Sequence, residues 1–139
     1  MNMQEIVSKL RNDCPAFDRR IYHASELHDI NPETGLPIAF VLQRPPSVEG
    51  ADGMGPIIRL SLRRRFSVSV QAPLPLEGEP DAMTGPADEI ITALSGWMPA
   101  TEPDVQVLPE TPGDQGQDAG VMTWVLNFSY LDYTQKAAG

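Results

Sequence analysis

Ile57 to Gln71 reads IIRLSLRRRFSVSVQ. Ile58, Leu60, Leu62, Phe66, Val68 and Val70 share one parity, while Arg59, Ser61, Arg63, Arg65, Ser67, Ser69 and Gln71 share the other. An extended backbone throws successive side chains to opposite sides, so this alternation predicts a long strand with one apolar and one polar face. At about 3.3 Å per residue it would run for roughly 50 Å, against ~20 Å for an ordinary strand, and part of it is expected to project from the fold. Arg64 breaks the apolar parity between Leu62 and Phe66. A bulge, a partner carboxylate or a position past the end of the core must accommodate it.

On the N-terminal side of this strand, Pro37 to Gln43 (PIAFVLQ) is a continuous apolar run of strand length, which predicts a central strand covered on both faces. Between the two, Arg44 to Pro56 (RPPSVEGADGMGP) is rich in Pro, Gly and acid and predicts a long mobile loop. Further upstream, Arg20 to His23 has strand composition, Ala24 to His28 allows one or two helical turns, and Asn31-Pro32 with Thr34-Gly35 marks a turn. At the start, Ile6, Val7 and Leu10 recur at helical spacing, with Asn2 placed to cap the helix and Pro15 to stop it.

On the C-terminal side, Ile90, Ile91, Leu94 and Trp97 make a helical stripe, with Pro86 at the first helical position, Gly96 near the end and Pro99 beyond it. Val105 to Leu108 predicts a short strand and Thr111 to Gly120 (TPGDQGQDAG) a flexible acidic loop. Val121 to Tyr133 alternates again, Met122, Trp124, Leu126, Phe128 and Tyr130 against Thr123, Asn127 and Ser129. The expected fold is α+β: a mostly antiparallel or mixed sheet with two main helices packed on one face, long loops and a projecting long strand.

With 139 residues, 41% of them hydrophobic, the chain suits one domain spanning 1–139. A net charge of −9 argues against general nucleic-acid binding, which needs a surplus of Lys and Arg on the binding face. The lone Cys14 cannot close an internal disulfide and fits a reducing compartment. No apolar run reaches the roughly 18 residues of a membrane span, and the polar N-terminus lacks a signal peptide's apolar core.

The residues supply no catalytic constellation. His23 and His28 near Glu26 lack the i, i+4 spacing of a helical zinc site, so no metal is expected. Cys14, before Pro15 at a helix end, reads as packing rather than as a nucleophile. No GxSxG elbow, GxxxxGK[ST] loop or GxGxxG after a strand occurs. Glu77, Glu79 and Asp81 read as a solvated charge run. That leaves Arg63-Arg64-Arg65, which with Arg59 forms the candidate interface with a neighbouring subunit or partner. Three readings stand: pairing with acids of another subunit, discouraging unwanted sheet pairing, or touching DNA. An acidic chain offers arginines carboxylates of its own kind, which favours the first.

The ordered features RNDCPAF, RIYHASEL, PIAFVLQ, RRRFSVSVQ, LSGWMP and MTWVLNFSYLD, from about Glu5 to Asp132, resemble the small phage tail-terminator, or tail-completion, proteins of long-tailed phages and Mu-like prophages. The resemblance implies a structural subunit, not an enzyme and without cofactors. Its partners would be copies of itself in a ring, typically a hexamer, the tail tube protein, whose growth the ring halts, and the head-completion or connector protein. DNA would pass through a negative lumen without sequence-specific binding, and the ring would sit at the head-proximal end of the tail after assembly in the host cytoplasm. The alternatives are a head–tail adaptor or stopper, which shares size, acidity and symmetry, and a small-ligand-binding or enzymatic α+β domain, for which the sequence offers no convergent polar cluster.

Overall fold

The computed structural model describes residues 1–29 and 35–137. The first helix, α1 (Met3–Asp13), opens with a complete capping box: the Asn2 side chain accepts from the Glu5 N–H at 2.9 Å, and Glu5 accepts from the Asn2 N–H at 3.1 Å. Its Met3, Ile6, Val7 and Leu10 are buried, and Cys14 N–H closes the helix on the Leu10 carbonyl. A short 3-10 turn (Pro15–Phe17) buries Phe17 and leads into β1 (Ile21–His23) and a second 3-10 turn (Ala24–Asp29). The predicted turn at Asn31-Pro32 lies outside the described residues.

Three strands of 17 residues form the sheet: β2 (Ile38–Met54), β3 (Ile57–Pro73) and β6 (Val121–Ala137). The order is β1-β2-β3-β6-β4, where β4 (Leu108–Pro109) and β5 (Gln115–Asp118) both pair with β6. Only β1–β2 is parallel, so the sheet is mixed, as the sequence predicts. The second helix, α2 (Thr84–Leu94), packs beside α1 on the core side, and its Ala87, Ile90 and Leu94 are buried. Both helices bury their apolar stripes against Ala39, Val41, Phe66, Val68, Val70, Leu126 and Phe128 of the sheet. At the centre Phe66 and Phe128, directly opposite in register, stack with centroids 5.5 Å apart.

Five expectations are corrected. Arg44 to Met54 is not a loop: β2 continues to Met54 and turns into β3 over Gly55-Pro56. Beyond Val41 the strand has no neighbour on the β1 side, so prolines without an N–H sacrifice no ladder bond there. Pro45 and Pro46 fall in one register shift, between Arg44 and Ser47, and Glu49 falls in a second, between Val48 and Gly50. Gly55, at φ +60°, occupies the first central position of a two-residue hairpin turn, where a positive φ suits glycine.

The acidic stretch 111–120 is likewise not all loop. It includes β5, joined to β6 by Ala119-Gly120, both at positive φ. Val105 and Val107 are buried, but the strand pairing itself starts at Leu108. Finally, α2 begins at Thr84, two residues before Pro86, because Asp81 caps it: its carboxylate accepts from the Met83 N–H at 2.7 Å and the Thr84 N–H at 3.3 Å, and from the Thr84 hydroxyl. Ile91 points outward and is 36% exposed, so the buried stripe runs through Ala87, Ile90 and Leu94 instead.

Candidate functional site

The helices cover only half of the long strands. No described residue of 42–65 or 131–137 belongs to the buried core, so the ends of β2, β3 and β6 run on as a three-stranded arm. The projection predicted for the strand carrying the arginines is therefore present, and two neighbours share it.

Arg63, Arg64 and Arg65 stand where the arm leaves the core. β3 pairs with β6 without a register shift, so parity carries through: Arg64, opposite Tyr130, faces the helix side, while Arg63, opposite Leu131, and Arg65, opposite Ser129, face away. Arg64 is accommodated in two of the three ways open to it, by a carboxylate and by its position past the core. Its Nε meets Asp132 Oδ2 at 2.7 Å, and the hydrogen bond to Asp132 raises its pKa further. Nearby Tyr130 is 4% exposed, and burial pushes its phenol pKa up.

On the other face Arg63 Nε meets Glu49 Oε1 at 2.9 Å, and its Nη1 donates to Ser129 Oγ at 3.2 Å. Arg65 Nε meets Glu110 Oε1 at 3.3 Å, and its Nη1 donates to Ser47 Oγ at 2.9 Å. Glu49 comes from the stretch expected to be a loop, where the β2 bulge supplies it, and Glu110 from just after β4. Arg59, opposite Asp52 and Gln135 in register, is exposed and forms no ion pair among the described residues. The structure thus brings Arg63, Arg64 and Arg65 together with partners inside the chain and leaves Arg59 apart, farther out on the arm. A guanidinium has five N–H donors, so an internal partner does not exhaust its capacity for a second acid.

Arg44, directly opposite Arg65, belongs to the same polar face. The alternation of β3 does not reveal it, because only a strand read through the Pro-Pro bulge places Arg44 there. Deeper on this face Ser67 Oγ donates to Asn127 Oδ1 at 2.6 Å, and Asn127 Nδ2 donates to the Thr111 carbonyl at 3.0 Å. The segment after β4 therefore runs beside part of the polar face, and Gly113, whose N–H donates to the Val125 carbonyl, lies so close that a Cβ would sit 3.1 Å from the Val125 side chain.

The other candidates take structural roles. Cys14 is fully buried, and burial, with Glu89 and Asp13 nearby, pushes its thiol up to about 12, which keeps it a thiol at neutral pH. His23 Nδ1 accepts from the Ser25 N–H at 3.0 Å and lies 2.6 Å from Ser25 Oγ, fastening the following turn. His28 lies outside the described side chains. Asp81 belongs to the helix cap, and its hydrogen bond from Thr84 lowers its pKa. Among the described residues no three of His, Cys, Asp and Glu gather as metal ligands, and no helix is long and apolar enough to cross a membrane.

No curated protein matches the chain. Residues 1–134 match the family described as Phage tail terminator protein, a span that reaches from α1 to Thr134 of β6 and takes in all four arginines of the candidate interface. The chain belongs to the phage tail terminator family and is a structural protein of the phage tail.

Proposed function

We propose that residues 1–139 act as one domain and assemble, without catalysis or cofactor, into a homo-oligomeric ring, a hexamer, that caps the tail tube and halts its polymerisation. The ring sits at the head-proximal end of the tail, offers its other side to the head-completion protein, and lets DNA pass through a lumen to which this acidic chain gives a negative field. Assembly takes place in the host cytoplasm before the tail joins the head. The observation that carries this reading is the family match over residues 1–134. The arm supports it physically, since three strands that outrun their own core present surface of the kind a partner covers. Arg59, Arg63, Arg64 and Arg65 are its candidate contacts. A subunit that matches the tube on one side and replaces the tube's own growing surface on the other adds once and blocks the next addition.

Electron micrographs of phage lacking this chain test the assignment. Overlong or headless tails are expected. Tails of normal length beside heads that leak DNA would move the chain to the head–tail adaptor position instead.

A further inference from the structure

The helix-side face of the arm does not turn polar when the helices end. Ile58, Leu60 and Leu62 keep the parity of Phe66, Val68 and Val70, and opposite them in β2 stand Gly53, Ala51 and Val48. Val48 is 63% exposed, and the three β3 residues are only half-buried. A strand solvated on both faces has no need of an apolar stripe, so a stripe continuing past the core marks a surface that something else covers.

Charge says what covers it. Residues 44–65 and 130–137 carry six of the ten basic residues and three of the nineteen acids, a net +3, which leaves −12 for the rest of the chain within its total of −9. On the docking face itself Arg64 and its ion-pair partner Asp132 stand at the base of the stripe, while Arg44, Arg59, Arg63 and Arg65 lie on the opposite face of this single-layered arm and lend it their field. The helix-covered half offers the complement, a groove between α1 and α2 walled by Asp13, Asp88 and Glu89, where among the described lining residues Lys9 is the one base and is paired with Asp13. Asp13 and Asp88 are exposed. A basic, apolar arm and an acidic groove on one chain are suited to each other across two copies.

We infer that the helix-side face of the arm docks in the α1–α2 groove of a second copy. The inference rests on the ring reading and names its subunit contact. Because the contact joins two different surfaces, every copy gives one arm and receives one, a head-to-tail arrangement that closes into a ring when the rotation permits.

Two variants test it. Leu60→Asp with Leu62→Asp breaks the arm, and Asp88→Lys with Thr92→Arg breaks the groove. Each is checked for an unchanged far-ultraviolet spectrum, and if the arm variant fails that check, Leu60→Ser with Leu62→Ser replaces it. By native mass measurement wild type forms closed oligomers, each variant alone is a monomer, and an equimolar mixture gives a 1:1 dimer that grows no further, since only one intact arm and one intact groove can meet. Wild-type oligomers that survive the arm variant would overturn the docking and leave the ring reading standing. A mixture that stays monomeric would overturn the arm-to-groove pairing. If the arm variant forms normal rings but fails to cap purified tail tubes, the arm serves the tube protein and the inference falls. A wild type that is monomeric both free and on tubes would remove the ring reading itself.

Discussion

Arg63→Glu combined with Arg65→Glu separates assembly from folding. The side chains of the Arg63–Glu49 pair are 25% and 42% exposed, and those of the Arg65–Glu110 pair 38% and 33%. Pairs this wet contribute ~0.2–1 kcal/mol each. Replacing each arginine by a carboxylate also brings like charges together beside Glu49 and Glu110, at about 1 kcal/mol per contact in a mostly aqueous setting. The combined cost is about 3 kcal/mol, and a domain of this size is stable by about 5–15 kcal/mol, so the variant stays folded at 25 °C. The melting temperature falls by ~10 °C. Arg63→Gln with Arg65→Gln removes the attraction without the repulsion and loses about 1 kcal/mol, or ~4 °C. Circular dichroism melts give these numbers, and native mass measurement with tail-length counts gives the assembly defect, expected to be strong for the glutamates and weaker for the glutamines. Rings and tails of normal length from the folded glutamate variant would refute the interface assignment. Unfolding at 25 °C would refute the peripheral placement of the pairs.

Three further perturbations read the core and the turns. The buried Cys14 thiol, held up to about 12 against an ordinary 9.0, favours the folded state fully below pH 9, and that advantage is lost as pH climbs from 9 toward 12. Denaturant titrations at pH 7.5 and pH 10 should therefore show a loss of about 1.4 kcal/mol that Cys14→Ala does not share; equal pH dependence in both proteins would contradict the burial. Phe66→Leu and Phe128→Leu should couple by about 0.5–1.5 kcal/mol in a double-mutant cycle, with simple additivity counting against the stacked pair. Ala119, at φ +49° in the β5–β6 turn, strains its Cβ. Ala119→Asn should add about 0.5–1 kcal/mol by thermal melt, and a loss would mean that the turn is not left-handed there.

The legible parts of the fold are those where a local pattern and its tertiary setting agree. Asn2 and Glu5 stand three apart before an apolar stripe, and α1 forms with both halves of its capping box. The parity of Ile58 to Val70 fixes β3, and because the period is 2, it also fixes which arginines face away from the helices. Arg44 to Met54 was not legible because proline and glycine forbid a central strand but not an edge, and nothing in those residues says that β1 stops beside Val41. Glu49, Asp132 and Glu110 could not be matched to Arg63, Arg64 and Arg65 for a related reason. The pairings cross 14, 68 and 45 residues and depend on register, and for Glu49 on a bulge that no composition reveals. Ile91 falls outside the buried stripe although it is as apolar as Ile90, because only the packing of α2 beside α1 selects between the two.

The two edges of the arm differ in a way that bears on ending a polymer. Along β2 the edge is blunted by Pro45 and Pro46, which lack N–H donors, by two register shifts, and by Glu49 and Asp52. Such an edge cannot template another strand in register. Along β6 the stretch from Leu131 to Ala137 keeps an unbroken ladder with β3 and contains neither proline nor glycine. The β2 side of the arm is thus the more obstructed of the two, although Asp132 and Lys136 place charges along the β6 stretch as well. On the ring reading the arginines need not do this obstructing, because the β2 edge already does. Their internal acids hold the arm's charges in fixed positions, and the apolar stripe with its flanking bases is left to choose the neighbour.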